Sequence, residues 1–67
     1  MEWQELSEGM PLNKPCIVEQ NTGNLEYAAA FSEVNVSGIM LLKKSGDKFI
    51  TTSTFLMKVN RFMILEK

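Results

Sequence analysis

Short runs of hydrophobic residues alternate with polar, turn-forming residues along this chain. An uninterrupted apolar run covers residues 39–42, a polar turn covers 44–47, and a run rich in β-branched residues covers 49–52. Two such runs separated by Ser, Gly and Asp are typical of a β-hairpin. The pattern therefore predicts a central β-hairpin over residues 38–53, around which the other segments pack.

Three further segments have the pattern of β-strands. Residues 16–20 are bounded by Pro15 and by the cluster Asn-Thr-Gly-Asn at 21–24, which is a strong turn signal because Gly supplies positive φ. Residues 25–31 alternate between two faces; their three consecutive Ala residues would also suit a helix, but the alternation and the preceding turn favour a strand. Residues 61–65 provide the last strand.

These segments predict a mainly β fold, either a small antiparallel sheet or an SH3-like barrel of four to five strands. Residues 54–59 are ambiguous, because Ser53 or Thr54 could cap a helix, so at most one short helical turn is expected near them. With 67 residues the chain forms a single small β domain, residues 1–67. Its expected core consists of Ile17, Val18, Tyr27, Phe31, Ile39, Leu41, Phe49, Phe55, Val59, Phe62 and Ile64.

The size of the chain makes its core marginal, because a short chain buries a small fraction of its surface. A single cysteine cannot form an internal disulfide, and without histidine a Cys/His zinc site is not expected. Residues 39–42 and 62–65 present apolar side chains on both faces of a strand, so one face of a thin sheet needs a cover. The N-terminal segment with Trp3 and Leu6 is too short to cover both runs. A second copy of the chain could cover the rest, so we expect a homo-oligomer.

The expected location is the cytoplasm. A lone cysteine, Cys16, is typical of a reducing compartment. The start of the chain is acidic and lacks the long apolar region of a secretory signal. No apolar run approaches the length of a membrane span, so no contact with a membrane is expected.

Residues that could carry catalysis are scarce. Histidine, the side chain that titrates nearest neutrality, is absent. Glu19 and Glu26 could face one another across the first hairpin, but opposed like charges are unfavourable and the two are expected to diverge. Cys16 begins an apolar strand and lacks a histidine base, so it is expected to be a small buried hydrophobe. The chain is therefore predicted to be non-enzymatic, with no cofactor and no metal.

Charge is distributed unevenly along the chain. Residues 1–42 contain six acidic residues and one basic residue, a net charge of −5, whereas residues 43–67 contain six basic and two acidic residues, a net charge of +4. Such asymmetry indicates either an anionic partner or a self-complementary surface. Alternatively, distant segments interleave in a small sheet, and the charges then mix.

Two sets of side chains are candidates for binding a partner. The basic set flanks the central turn and continues into the last strand, where exposed aromatic residues beside it would indicate nucleic-acid binding. The aromatic residues fall mostly in apolar runs expected in the core, however, and lysines at a hairpin tip are also solvated and protect a sheet edge. Methionines suit an adaptable contact surface and are equally ordinary core residues. The candidate binding residues are Lys43, Lys44, Lys48, Lys58, Arg61, Met40, Met57 and Met63.

Five short motifs follow one another in an order that matches a known pattern: Trp3, Met10-Pro11, Ile17-Val18, a strand ending in Tyr27-Ala28-Ala29-Ala30-Phe31, and Phe62-Met63-Ile64-Leu65. The chain thereby resembles a short family of unknown function that is frequent in phages and prophages. That family opens with Trp and a Leu-Pro pair and closes on a His-Trp-Met-Pro-Leu-type strand. Here the closing His and Pro are absent, and Phe62 replaces the aromatic residue. The resemblance implies a small α+β or β domain from a mobile element, and no activity.

These observations predict a small non-enzymatic binding protein, phage- or mobile-element-encoded, that occupies the surface of a partner protein as an inhibitor or adaptor. The alternative is binding of nucleic acid or a nucleotide through the basic C-terminal half. An exposed apolar patch containing Met40, Met57 or Met63 would support the first interpretation. Salt-dependent binding of a phosphate-bearing ligand would support the second.

Overall fold

The structure is a computed structural model that describes residues 2–56 and 58–65. Its strands are β1 (Gln4–Glu5), β2 (Cys16–Gln20), β3 (Leu25–Ser32), β4 (Ser37–Ser45), β5 (Lys48–Leu56) and β6 (Val59–Ile64), and a 3-10 turn at Leu6–Glu8 follows β1. They form one antiparallel sheet in the order β1-β6-β2-β3-β4-β5. The predicted mainly β, antiparallel fold is confirmed. None of the described residues belongs to a helix long and apolar enough to cross a membrane.

Both turns predicted from the sequence join strands as expected. Between β2 and β3 the Gly23 N–H donates to the carbonyl of Gln20 at 2.8 Å, and Gly23 has a φ of 96°. Between β4 and β5 the two turn residues are Gly46 and Asp47. Gly46 has a φ of 64°, the sign that a type II′ turn requires at its first central position. Glycine is therefore placed where a side chain would strain the backbone.

The C-terminal half of β5 contains a β-bulge where the sequence allows a short helical turn. The register of β4 and β5 shifts between Met40 and Leu42, so extra residues of β5 lie opposite Leu41. The Thr52 hydroxyl donates to the Leu41 carbonyl at 3.1 Å and accepts the Thr54 N–H at 3.2 Å. Because these polar groups satisfy the bulge instead of capping a helix, the strand continues to its end.

The short connection between β5 and β6 forces the sheet to curl. Two residues separate these strands in the chain, so the Cα atoms of Leu56 and Val59 lie at most about 11 Å apart. In a flat sheet, the three strands between them would hold β5 and β6 about 19 Å apart. One face of the sheet is therefore wrapped inward. In the described residues the sheet stays open, with β1 and β5 at its edges, which is the first of the two predicted architectures.

The inward side of the sheet, here called the core face, buries small side chains around one aromatic ring. Cys16 and Val18 on β2, Ala28 on β3 and Phe62 on β6 are fully buried. The register places them together, because Cys16 pairs with Ala28 and Val18 pairs with Phe62. A tightly curled sheet leaves little room inside, and close packing then favours Ala, Cys and Val. Partly buried residues complete the core: Met10, Ile39, Leu56, Val59 and Ile64.

The predicted core is correct for side chains that face inward and wrong for several large ones. Val18 and Phe62 are fully buried, as expected. The prediction of a buried Phe55 is wrong, because 50% of its surface is exposed. Pleating puts neighbouring residues of β3 on opposite sides, and the side with the small Ala residues is the one that faces the core. Four further members of the predicted core lie half-buried on the outward side: Ile17, Tyr27, Phe31 and Phe49.

Candidate functional site

The outward side of the sheet, here called the open face, is lined by apolar side chains from five strands. Ile17 pairs with Met63 on one side and with Tyr27 on the other, so three apolar side chains form one row across the sheet. Met40 lies between its partners Ala29 and Phe55 in a second row. All of these side chains are partly or largely exposed. The open face comprises Ile17, Leu25, Tyr27, Ala29, Phe31, Met40, Leu42, Phe49, Phe55 and Met63.

Two aromatic pairs stand on the open face. Tyr27 and Phe49 meet edge to face, with ring centroids 5.1 Å apart and planes at 63°. Phe31 and Phe55 stack, with centroids 5.5 Å apart and planes at 24°. Gly38 lies beside the Phe31 ring, where an added Cβ would be 3.7 Å from the nearest ring carbon. Such pairs contribute about 0.5–1.5 kcal/mol beyond the burial of their area, so the rings are held in place although they are partly exposed.

A shallow groove lies between the aromatic pairs and takes one ring from each of them as a wall. Ala29, Met40 and Leu42 line it, together with Asn13 from the loop before β2 and Glu33 from the loop after β3. The Asn13 N–H donates to a carbonyl of β3 at 2.7 Å, which fixes this loop beside the groove. Because Ala29 is small, the middle of the groove lies below the rings. The lining of the groove is mixed: apolar side chains from β3, β4 and β5 lie beside the polar residues Asn13, Glu33 and Thr51.

The charged residues of the open face lie at its border. Arg61 on β6 forms an ion pair with Glu19 on β2, with Nε and Oε1 2.9 Å apart, and its guanidinium lies 4.4 Å from the centroid of the Trp3 ring. Lys44 on β4 has its Nζ 5.9 Å from the centroid of the Tyr27 ring. Both cations are within reach of a ring face. The ion pair also joins the acidic and basic parts of the chain, so at this point their charges mix.

The structure separates the predicted basic residues. Lys43 and Lys44 are neighbours on β4 and therefore lie on opposite faces of the sheet. Lys48 begins β5 beside the central turn, Lys58 lies in the connection between β5 and β6, and both are exposed. Of the five, Lys44 and Arg61 belong to the open face, three strands apart. The predicted basic residues therefore do not form one continuous cationic surface.

Two of the three candidate methionines belong to the open face. Met40 lines the groove, and Met63 pairs with Ile17 on the β6 side of the same face. Both are half-buried. Met57 lies outside the described residues. Met40 and Met63 thus belong to an exposed apolar patch of the kind expected at a protein-binding surface.

The side chains considered for catalysis, Glu19, Glu26 and Cys16, do not all share one face of the sheet. Glu19 belongs to the open face and Glu26 to the core face, so the predicted divergence of the two is confirmed. Cys16 is fully buried, as predicted, and its thiol donates to the Lys14 carbonyl at 3.4 Å. Burial raises the pKa of the Cys16 thiol, and the Lys14 charge opposes this in part. In the part of the chain that the structure describes, no three Cys, Asp or Glu side chains converge as metal ligands would.

Comparisons with protein-family models, with curated proteins and with solved structures found no match to this chain. The resemblance to a phage and prophage family therefore stays a prediction, and so does the mobile-element origin that it implies. A function has to be proposed from the geometry of the open face.

The sequence analysis assigns three aromatic residues to the core, whereas the structure places them half-buried on the open face. Tyr27, Phe31 and Phe49 are large and apolar, and their size alone argues for a core position. The feature that decides the matter is tertiary, because the two residues between β5 and β6 span three intervening strands only in the observed strand order. Such a connection requires a tight curl, and a tight curl favours small residues inside. Combined with the alternation in β3, it selects Ala28 and Ala30 as the inward positions.

Proposed function

We propose that this chain is a small, non-enzymatic binding protein whose open face contacts the surface of a partner protein, as an inhibitor or an adaptor. The observation that carries the proposal is the open face itself, whose ten apolar side chains all remain partly or largely exposed. Monomeric proteins rarely expose large contiguous apolar patches, and such patches mark interaction sites. A protein surface of matching apolar character is the partner that would bury this face.

The make-up of the open face supports a protein partner. Aromatic residues and methionine are enriched at protein interfaces, and charged residues are depleted from their centres. On this face Met40 lies on β4 between the strands that hold the two aromatic pairs, whereas Lys44 and Glu19 lie near the ends of their strands, with Arg61 opposite Glu19. The Arg61 guanidinium is already paired with Glu19, so burial of the border would leave that charge matched.

The chemistry of the remaining residues supports a non-enzymatic role. Without histidine, no side chain of ordinary pKa is poised for proton transfer near neutrality. Cys16 is buried and its thiol pKa is raised, which lowers the fraction of the nucleophilic thiolate. Binding by surface contact requires none of these groups.

A second candidate is binding of single-stranded nucleic acid or a nucleotide on the same face. The exposed pairs of Tyr27 with Phe49 and of Phe31 with Phe55 favour it, because bases stack on such rings, and Lys44 lies beside them. The aliphatic centre of the face and the net charge of −1 favour a protein instead, since phosphate contacts dominate nucleic-acid affinity. Fluorescence anisotropy of a labelled oligonucleotide decides between them: salt-dependent binding would support the second candidate.

The proposal is tested by capture from a bacterial lysate on three immobilised baits: the wild type, Leu42→Glu and Ile50→Glu. Leu42 lies in the groove of the open face. Ile50 is on the same hairpin, 53% exposed, and pairs with Lys43 on the other side of the sheet, so it is a matched control. We expect a stoichiometric partner on the wild type and on Ile50→Glu, and none on Leu42→Glu.

Circular dichroism of the three baits establishes that each is folded before capture is compared. The purified partner should bind the wild type again in a two-component titration. A partner that Leu42→Glu retains would contradict the assignment of the open face. Failure of the folded wild type to bind any protein, itself included, would contradict the proposed function.

A further inference from the structure

We infer that the open face of the free protein is covered by the open face of a second copy, the two sheets packed face to face about a two-fold axis. The inference rests on the proposed function, because it names a partner for the same surface. Three observations favour a second copy as the partner. The chain exposes more surface than its mass predicts, opposite charges lie at the two ends of the face, and the free sheet edge at β5 is poorly suited to pairing with another strand.

The first ground is area. The chain exposes 4925 Å², whereas a folded monomer of 7.6 kDa is expected to expose about 4,300 Å². The surplus of roughly 600 Å² is close to the ~800 Å² that each partner buries in a standard interface. A second copy that covers part of the open face, the outer side of the curled sheet, would bring the exposed surface closer to that expected for the mass.

The second ground is the symmetry of charge about the row that contains Ala29 and Met40. Glu33 follows Ala29 by four residues and lies directly after the end of β3, whereas Lys44 follows Met40 by four residues along the antiparallel β4. Lys44 therefore lies about 13 Å from this central row, and Glu33 lies beyond the row in the opposite direction. A two-fold axis along the row brings Lys44 of each copy to Glu33 of the other. Each interface then gains two ion pairs that a monomer cannot form.

The same axis matches Tyr27 with Phe31. These two residues lie two positions to either side of Ala29 on β3, so the rotation places Tyr27 of each copy over Phe31 of the other. Phe55 pairs with Met40 in the central row, so it meets Phe55 of the second copy. Isologous contacts of this kind require a self-complementary surface. The net charge of −1 per chain adds little repulsion between the copies.

The third ground is that the free sheet edge at β5 is a poorer site for a second copy. Addition of a strand requires a straight row of backbone donors and acceptors. The bulge near Thr52 interrupts that row, and Thr52 itself takes up the Thr54 N–H. Lys48 at the start of the strand adds a charge of the kind that protects natural edges. Association of two copies is therefore directed to the face.

A dimer of this geometry masks the surface that the proposed function uses. A different partner protein would bind the monomer and compete with the second copy, so its apparent affinity would fall as the concentration of the chain rises. Self-association would in this way regulate the exposure of the open face.

Sedimentation velocity between about 1 and 100 µM tests the inference with the wild type, Leu42→Glu, Ile50→Glu, Lys44→Glu and the charge exchange Lys44→Glu with Glu33→Lys. The wild type and Ile50→Glu should reach twice the chain mass of 7.6 kDa. Leu42→Glu, which buries an unpaired charge, should raise the dimer Kd at least about thirty-fold. Lys44→Glu should raise it about ten-fold at low salt, and less at high salt.

The charge exchange is the decisive arm. Lys44 and Glu33 lie at opposite ends of the face within one chain, so the double variant can regain affinity only across a dimer interface. We expect its Kd to return to within about three-fold of the wild type. Both residues are exposed, so the folding of these variants is not in question.

Three results would overturn the inference: a wild type that stays at the monomer mass, a dimer that Leu42→Glu leaves intact, or a charge exchange that restores no affinity. A monomeric wild type leaves the proposed function standing if the capture experiment still finds a partner that Leu42→Glu loses. If capture also fails, both fall. The two experiments therefore separate the failure of one idea from the failure of the other.

Discussion

Phe62 and Phe55 are the same residue type on opposite faces of one sheet, and truncation of each to Ala tests how the faces are assigned. Phe62 is fully buried, whereas Phe55 leaves 50% of its surface exposed. A buried Phe→Ala change costs about 3–5 kcal/mol, because the lost transfer free energy is joined by a cavity term. We therefore expect Phe62→Ala to lower the free energy of unfolding by that amount.

The cost at Phe55 follows from its partial burial. Full burial of a Phe side chain contributes about 1.5–3 kcal/mol, so half burial contributes roughly 1 kcal/mol. Stacking on Phe31 adds about 0.5–1.5 kcal/mol. No closed cavity forms at an exposed site, so Phe55→Ala should cost about 1.5–2.5 kcal/mol. A domain of this size has a total stability of about 5 kcal/mol, so Phe55→Ala should stay fully folded, whereas Phe62→Ala should keep only about 0–2 kcal/mol and be partly unfolded at the upper end of its cost.

Urea denaturation followed by circular dichroism measures both costs. Protein concentrations are lowered until the midpoint no longer depends on them, so that self-association does not contribute to the apparent stability. Phe62→Leu provides a measurable variant at the buried site if Phe62→Ala does not fold; the smaller change should cost about 1–1.5 kcal/mol. Equal costs for the two Ala variants, or a larger cost at Phe55, would refute the assignment of the core face.

Three further predictions concern single positions. Gly46→Ala should destabilise the protein by about 1–2 kcal/mol, because its φ of 64° is costly for a residue with a Cβ although no atom lies within 4 Å of that Cβ. Gly38→Ala should instead stabilise by about 0.4–1 kcal/mol, because its Cβ would meet the Phe31 ring at an ordinary 3.7 Å while the unfolded chain loses freedom; midpoints that shift in the same direction would contradict this pair. Burial raises the pKa of the Cys16 thiol, so the stability that this group contributes is complete below the pKa of the unfolded chain and is lost as pH rises through the folded pKa. Unfolding midpoints should therefore decline above about pH 8.5 more in the wild type than in Cys16→Ala, and parallel pH profiles would show that Cys16 is not responsible.

Local chemistry was sufficient to predict most of the strands and their turns. The predicted strand at residues 16–20 is β2, and the turns at 21–24 and around Gly46 lie where the turn residues put them, because Gly and Asn satisfy the backbone within a few residues of sequence. The segment near residues 54–59 was ambiguous for the opposite reason. The acceptor of the Thr52 hydroxyl is a carbonyl on β4, which no local pattern reveals.

The sequence by itself determined which side chains share a face, and only the tertiary structure decided which face lies inside. The two-residue period of a strand assigns Tyr27 and Phe31 to one side of β3 and Ala28 and Ala30 to the other. The same period would result if the other side faced the core, so it does not show which side is buried. Hydrophobic size favours the aromatic side as the core. The curl of the sheet reverses that choice, because a two-residue connection draws β5 toward β6 and the narrow interior admits Ala, Cys and Val with a single Phe ring. The large apolar side chains are left on the open face for that reason, and the candidate site exists because the core is too small to hold them.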